Sequence, residues 1–408
     1  MRPPRVSRRR VLALVLANAV SELGNVAAVV ALPWFVLVTT GSAARTGLTA
    51  FATTVPLALG AIAGGPVVDR VGLRRASIVA DLGAGAAIAA IPVLQEAGAL
   101  EFWHVLALAF AAGAFEAPGR AARRAKLPDL AERASMSLER ANSIATTSEH
   151  VGYVLGAPAA GLLIATVGAP NALLLDAASF AASAGIVAAL VPSVRGAAGP
   201  TPLLGGLRFI RETPLLLTLF AMWMVGGFLI GPLAAVVLPV YAREELGGAG
   251  ELAACVSAYG AGGLAGTLAY GVAGLRLPRR VFYAGMWTLY AALSLALVAV
   301  PPLVPLLAIL FGIGFVVGAY DPFETTIHQE LIPPDLRARV FAILLAAEMI
   351  VVPPSMLLNG LLMERLGLRA ALVLFGVGNL VLGAFALANR PARNLDVRGR
   401  PAASTGRP

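Results

Sequence analysis

The chain has 408 residues, 58% of them hydrophobic and only 13% charged, with 31 Lys and Arg against 22 Asp and Glu for a formal charge of +9. Soluble domains carry about a quarter charged residues, so this composition excludes one and describes a polytopic membrane protein. The positive excess is an orientation signal, and nucleic-acid binding is not expected from it.

Crossing about 30 Å of hydrocarbon at 1.5 Å per residue takes about 20 apolar residues. Runs of that kind occur twelve times, near 11–39, 46–68, 76–94, 102–115, 144–167, 172–191, 215–241, 252–273, 281–300, 303–320, 340–363 and 370–387. The opening MRPPRVSRRRVLALVLANAV imitates a secretory signal, but only about six apolar residues precede Ala17-Asn18-Ala19, too few for its hydrophobic region. The first span is therefore expected to be retained. With both tails inside, 27 of the 31 Lys and Arg fall on the inner side, and only Arg45, Arg243, Arg365 and Arg369 fall outside. A miscount by one span would scramble that alternation. The expectation is a multi-pass protein of the cell (cytoplasmic or inner) membrane, in contact with the lipid bilayer, both termini cytoplasmic.

Between the sixth and seventh runs lies a Gly/Pro-rich stretch followed by an amphipathic piece with Leu204, Leu207, Phe209 and Ile210, read as a linker on the inner membrane surface. The organisation is a basic tail (1–10), a six-helix bundle (11–192), a cytoplasmic linker (193–214), a second six-helix bundle (215–389) and a basic, Pro-rich tail read as disordered (390–408). The halves repeat one another. GLLIATVGAPNALLL from Gly161 matches GLLMERLGLRAALVL from Gly360, and GPVVDRVGLRR from Gly65 has a degraded echo in GVAGLRLPRR from Gly271. Pro118 with Leu127-Pro128 is likewise answered by Pro322 with Ile332-Pro333.

One cysteine, Cys255, excludes an internal disulfide framework, and His104, His150 and His328 show no metal-ligand spacing. No Walker loop, G-x-S-x-G or H-E-x-x-H occurs, which argues against an ATP-driven pump and against the common hydrolases. No cofactor is expected, and since no catalytic site is encoded the chain is not read as an enzyme.

The loop Gly65-x-x-x-Asp69-Arg70-x-Gly72-x-Arg74-Arg75 after the second run resembles the signature of the major facilitator superfamily. APGRAARRAKLPDL, LERANSIA, GLRFIRETP and PPDLRARVFA resemble segments of its drug:proton antiporters of the macrolide-efflux and enterobactin-exporter type. The resemblance implies an all-α fold of twelve transmembrane helices in two pseudo-symmetric six-helix bundles, with Gly65, Asp69, Arg70, Gly72, Arg74 and Arg75 as a cytoplasmic gate. The arginines there would pair with inner carboxylates such as Asp321, Glu324 or Asp335. Two departures stand out. Leu275 and Pro278 replace Asp and Gly in the second copy of the loop, and Gly152-x-x-x-Gly156-Ala157-Pro158-x-x-Gly161 has one residue more than the antiporter motif between glycine and proline.

Ionisable groups within a span are costly and mark function by default. Glu22 lies on the order of 17 Å into the first run, and Asn18, Glu22 and Asn25 at i, i+4 and i+7 share one helix face. Glu22 is expected to carry the coupled proton, the competing reading being a carboxyl bonded between helices. Glu149 and Glu348 hold equivalent places, twelve residues before Gly161 and Gly360, and read either as further proton or cation sites or as hydrogen bonds between bundles. Asp81 and Asp176 are placed nearer span ends and read as structural. Trp34, Trp223, Tyr259, Trp287, Tyr290 and Phe315 are candidates to line an amphipathic cavity, with Trp34, Trp223 and Tyr259 taken as substrate contacts beside Asn18, Glu22 and Asn25. Gly60-x-x-x-Gly64, Gly152-x-x-x-Gly156 and Gly262-x-x-x-Gly266 are read as packing surfaces.

No Lys or Arg falls in the middle of any of these runs, which favours a neutral or cationic amphipathic small molecule as the transported partner. The expected function is proton-coupled export of such molecules by a protein working as a monomer. Uptake, lipid transport, or a non-transporting receptor or scaffold are the alternatives.

Overall fold

The structure, a computed structural model, describes residues 8–134, 136, 152, 155–156, 159–191, 204–273, 278–389 and 395; in several helical stretches, chiefly 8–11, 60–70, 121–133 and 334–349, it gives the backbone with few side chains. Among the described residues every regular element is helical. In chain order these are α1 (Arg8–Thr40), α2 (Ala43–Val71), α3 (Leu73–Glu96), α4 (Phe102–Arg133), α5 (159–167) and α6 (Ala169–Leu190). After the short α7 (Leu204–Glu212) comes α8 (Pro214–Leu246), regular to Ile230 and widened into π turns at Leu233–Val237 and Ala242–Leu246. Then follow α9 (Ala249–Ala273), α10 (Arg279–Ala296), α11 (Leu303–Leu331), α12 (Pro334–Leu366) and α13 (Leu368–Ala388).

Eight of the described helices, α1, α3, α6, α8, α9, α10, α11 and α13, are long and apolar enough to cross a membrane. The outward faces agree. On α13 the exposed residues are Val373, Leu374, Val377, Leu380 and Val381, whereas Asn379 is fully buried, donating to Phe375 O at 2.9 Å and Ser294 Oγ at 3.3 Å. An apolar exterior over a polar, hydrogen-bonded interior is what a lipid solvent selects.

The chain packs into two compact units, one of Met1–Pro200, Gly231–Gly260 and Met349–Ala371, the other of Thr201–Ile230, Ala261–Glu348 and Leu372–Pro408. In the first, α1 lies along α6, α2 along α4, and α3 packs on both α4 and α6. The joints between α5 and α6 and between α12 and α13 turn at Gly168 (φ 87°) and Gly367 (φ 81°), equivalent glycines of the repeat, in a backbone region that side-chain-bearing residues avoid. In the second unit α7 buries Ile210 against Leu216, Ile332, Val340 and Leu344, so the amphipathic linker piece is a helix fixed to the α11–α12 junction.

The fourth span departs from the sequence expectation. The helix does not stop near residue 115 but runs 32 residues, through Pro118 and on to Arg133. Cations read from sequence as loop residues therefore sit on a helix, with consequences at the site.

Candidate functional site: a buried charge cluster in the first unit

Glu22 on α1 is 7% exposed. Its Oε1 accepts from Arg120 Nη2 of α4 at 2.5 Å. The same guanidinium reaches Glu116 Oε1 through Nε at 3.2 Å, and that oxygen also accepts from Asn25 Nδ2 of α1 at 2.9 Å. One arginine thus bridges two carboxylates on facing helices. The heptad-like placement of Glu22 and Asn25 on α1 and the i,i+4 spacing of Glu116 and Arg120 on α4 bring the four groups to one seam. Backbone packing closes the seam from another side. A methyl added at Gly152 would stand 3.2 Å from Glu22 C, and one at Gly156 would meet Leu23 O at 2.6 Å, so the Gly152/Gly156 pair seats its backbone on α1 beside the carboxylate.

A third acid completes the cluster. Asp176 on α6 is 2% exposed, its Oδ1 lies against Gly24 with no hydrogen-bond partner among the described residues, and the charges that bear on it are those of Glu116 and Glu22. One turn along α4, Arg123 is 5% exposed and donates to Asp81 Oδ1 of α3 at 2.9 Å, while Ser183 of α6 donates to Asp81 Oδ2 at 2.7 Å. This closed pair ties α3, α4 and α6 together. A buried ion pair of this kind holds geometry well because removing either partner strands the other charge.

Two sequence expectations are corrected here. Cations reach the interior, because α4 buries Arg123 and turns the half-buried Arg120 toward the acids of α1, and the substrate-charge argument from their absence falls with it. Asp81 and Asp176 are not near helix ends but fully enclosed; Asp81 keeps its structural character through Arg123, whereas Asp176 belongs with Glu22 and Glu116.

Of the remaining candidates, Asn18 is half-buried on the same helix, Trp34 is buried, and both lie in the first unit with the half-buried Tyr259, while the half-buried Trp223 lies in the second. Trp287 and Tyr290 are enclosed with Tyr283, Tyr320, Phe323 and Phe375 in an aromatic core, and are packing residues. Glu149 lies outside the described residues, as do the side chains of Glu348, Asp69 and Arg70. The gate segment itself ends α2 at Val71 and turns at Gly72 (φ 86°); Gly65, Asp69 and Arg70 are in the helix, Arg75 is exposed, and Arg74 donates to Ala188 O in the last turn of α6, a favourable place for a cation. Glu324, proposed from sequence as a gate partner, is buried beside His328, Nε2 to Oε1 3.8 Å, and Asp321 is exposed. The glycine pair Gly262/Gly266 seats on the carbonyls of Phe311 and Phe315, as read from spacing; Gly60 and Gly64 are not described beyond the backbone.

Comparison with known proteins follows the same lines. The family model described as Major Facilitator Superfamily matches residues 14–253 and 228–406. The multidrug efflux pump Tap of Mycolicibacterium fortuitum is 32% identical over 410 residues, covering 97% of this chain and 99% of that protein. Tap of Mycobacterium tuberculosis is 30% identical over 408 residues, covering 97% and 96%. Among solved structures, a bacterial homologue of the human lysosomal transporter Spinster, inward-facing and unoccupied, superposes with a TM-score of 0.73 at 16% identity over 97% of this chain and 98% of that one. The nucleoside transporter NupG gives 0.72 at 13% identity over 93% and 98%. At such identities the structural likeness bears on fold alone.

Proposed function

The chain belongs to the major facilitator superfamily, a family of membrane transporters and not of enzymes, and from that premise we propose that it exports amphipathic small molecules, drugs or secondary metabolites, in exchange for protons by alternating access. The observation that carries the reading is the sharing of Arg120 between Glu22 and Glu116. A proton arriving on Glu22 competes with the guanidinium for the same oxygen. Once Glu22 is neutral, its pull on Arg120 is lost while that of Glu116 remains, and the force between α1 and α4 changes. An ion whose binding alters inter-helix pairing in this way biases one conformation over another, which is what coupling requires.

Net charge supports a cationic or neutral substrate on firmer ground than sequence offered. Among the described residues, Arg123 and Asp81 cancel, leaving Glu22, Glu116 and Asp176 around the charge of Arg120. Such a region is net acidic when ionised and repels anions. Export direction is supported by the likeness to the Tap efflux pumps, which span the same length.

Inverted membrane vesicles carrying the protein test direction and coupling together. With an acid interior, a fluorescent cationic dye should accumulate inside and leave when a protonophore collapses the gradient. Accumulation indifferent to the gradient overturns the coupling; loss of preloaded dye on acidification overturns the direction.

A further inference from the structure

The repeated glycines that reveal the internal duplication have a shared structural task, the close crossing of helices from the two sequence halves. Gly360 on α12 crosses Gly47 on α2; a methyl on Gly360 would meet Ala43 O at 2.7 Å, and one on Gly47 would meet Met356 O at 2.6 Å. Gly161 on α5 sits against Ala253 of α9 in the equivalent place. Each crossing joins a helix of the first sequence half to one of the second, all within one compact unit. Nearby, Arg243 of α8 donates to Leu37 O at the end of α1 at 2.9 Å. Of the four arginines on the wrong side of the charge rule, Arg243 is therefore a fastener between halves, and Arg45 stands over the Phe102 ring at 5.0 Å, beside the residue considered next.

The two crossings differ in one respect. Four residues beyond Gly360 comes Glu364; four beyond Gly161 comes Ala165. Glu364 Oε2 accepts from Ser42 Oγ at 2.5 Å and from Ala44 N, in the first turn of α2, at 2.8 Å. Ser42 Oγ itself accepts from Arg45 N at 3.1 Å. The carboxylate of one half thus caps the helix N-terminus of the other, where an anion is favoured both by free amides and by the helix dipole. We propose that Glu364 and Ser42 form a latch that holds this end of the transporter shut, present on only one of the two symmetry-related crossings. The proposal rests on the alternating-access reading above, since only a protein that opens this end needs a fastener there.

The latch is a fixed fastener and not a pH sensor. The hydrogen bond from Ser42, and after it the amide of Ala44, hold the Glu364 carboxyl below its ordinary range. A depressed carboxyl contributes its stabilisation above its unfolded pKa and loses it only as pH falls through the folded value, so the latch stays engaged across neutral and mildly acidic conditions.

The test is labelling of a reporter thiol with a membrane-impermeant maleimide in intact cells. Thr46 is fully buried at this end, so Thr46→Cys in a Cys255→Ser background reads opening. Adding Glu364→Ala should speed labelling by about tenfold, the scale of a lost hydrogen bond to a charged group. Glu364→Gln, which keeps an acceptor without the charge, should fall between it and the parent. Ser42→Ala on top of Glu364→Ala should add nothing from the latch. Thermal melting in detergent checks that each variant folds; if Glu364→Ala does not, Glu364→Gln alone decides. Equal labelling of the parent and the folded Glu364 variants overturns the latch. The readout is conformation, not transport: faster labelling without any gradient-driven export leaves the latch and removes the proposed function, and the opposite pattern does the reverse.

Discussion

The interiors of the two units are built from different chemistry on a repeated frame. Pro118 of α4 and Pro322 of α11 are equivalent in the repeat; two residues before them stand Glu116 and Tyr320, and two after stand Arg120 and Glu324. In the first unit those positions join a charge cluster with Glu22, Asn25 and Asp176. In the second, Tyr320 packs among Tyr283, Trp287 and Phe323, with Tyr283 donating to Met222 Sδ at 2.6 Å. Duplication preserved the helices and divided their contents: one interior gathers the acids proposed to carry protons, and the other is filled by rings with centroids 4.9 and 5.6 Å apart that interlock and resist rearrangement.

That contrast is open to direct attack, beginning where the effect is greatest. Replacing Arg120 by Ala leaves Glu22 and Glu116 uncompensated and should abolish gradient-driven dye accumulation in inverted vesicles, while Tyr320→Phe in the other unit should leave it near the parental level. Next is Arg123→Ala, which strands the Asp81 charge and should cost about 3–5 kcal/mol, read as a large drop in melting temperature in detergent; Asp81→Asn with Arg123→Leu should recover much of it. Trp287→Ala opens a cavity in the aromatic core and should cost a similar amount or slightly less, about 3–5 kcal/mol, while preserving proton dependence in whatever protein folds. The smallest effect belongs to the surface pair of Arg279, on both Nη atoms, with Glu330 at 2.6 and 2.7 Å. Arg279 holds the Glu330 carboxyl below its ordinary range, so its contribution is present above that range and disappears as pH falls through the lowered value. Being exposed, the pair is worth no more than about 1 kcal/mol, and Glu330→Gln should flatten a shallow acid limb of the melting curve.

The all-helical membrane fold, the repeat and the burial of Glu22 were legible because each has a one-dimensional signature: apolar length, residue identity at a fixed offset, and a lone acid in an apolar run. Arg120 and Arg123 were not, since a hydropathy window ends where charges begin, and α4 carries its cations inward on a helix that continues 18 residues past 115. The Glu116–Arg120 spacing was the available clue, an i,i+4 acid–base pair expected only on a continuing helix. Asp176 needed tertiary information, because nothing in its own segment tells that it faces Gly24 across α1. Glu364 was hidden for the same reason: its partners are Ser42 and Ala44, more than three hundred positions away along the chain.

The most direct test of the account is proton-driven dye uptake into inverted vesicles by Glu22→Gln beside the parent, at matched expression and melting temperature. Gln keeps the size of the side chain and an acceptor for Arg120 but binds no proton. The account predicts that the variant still binds dye yet no longer accumulates it when the vesicle interior is acidified. Accumulation by Glu22→Gln at the parental rate, collapsing with a protonophore as in the parent, contradicts it.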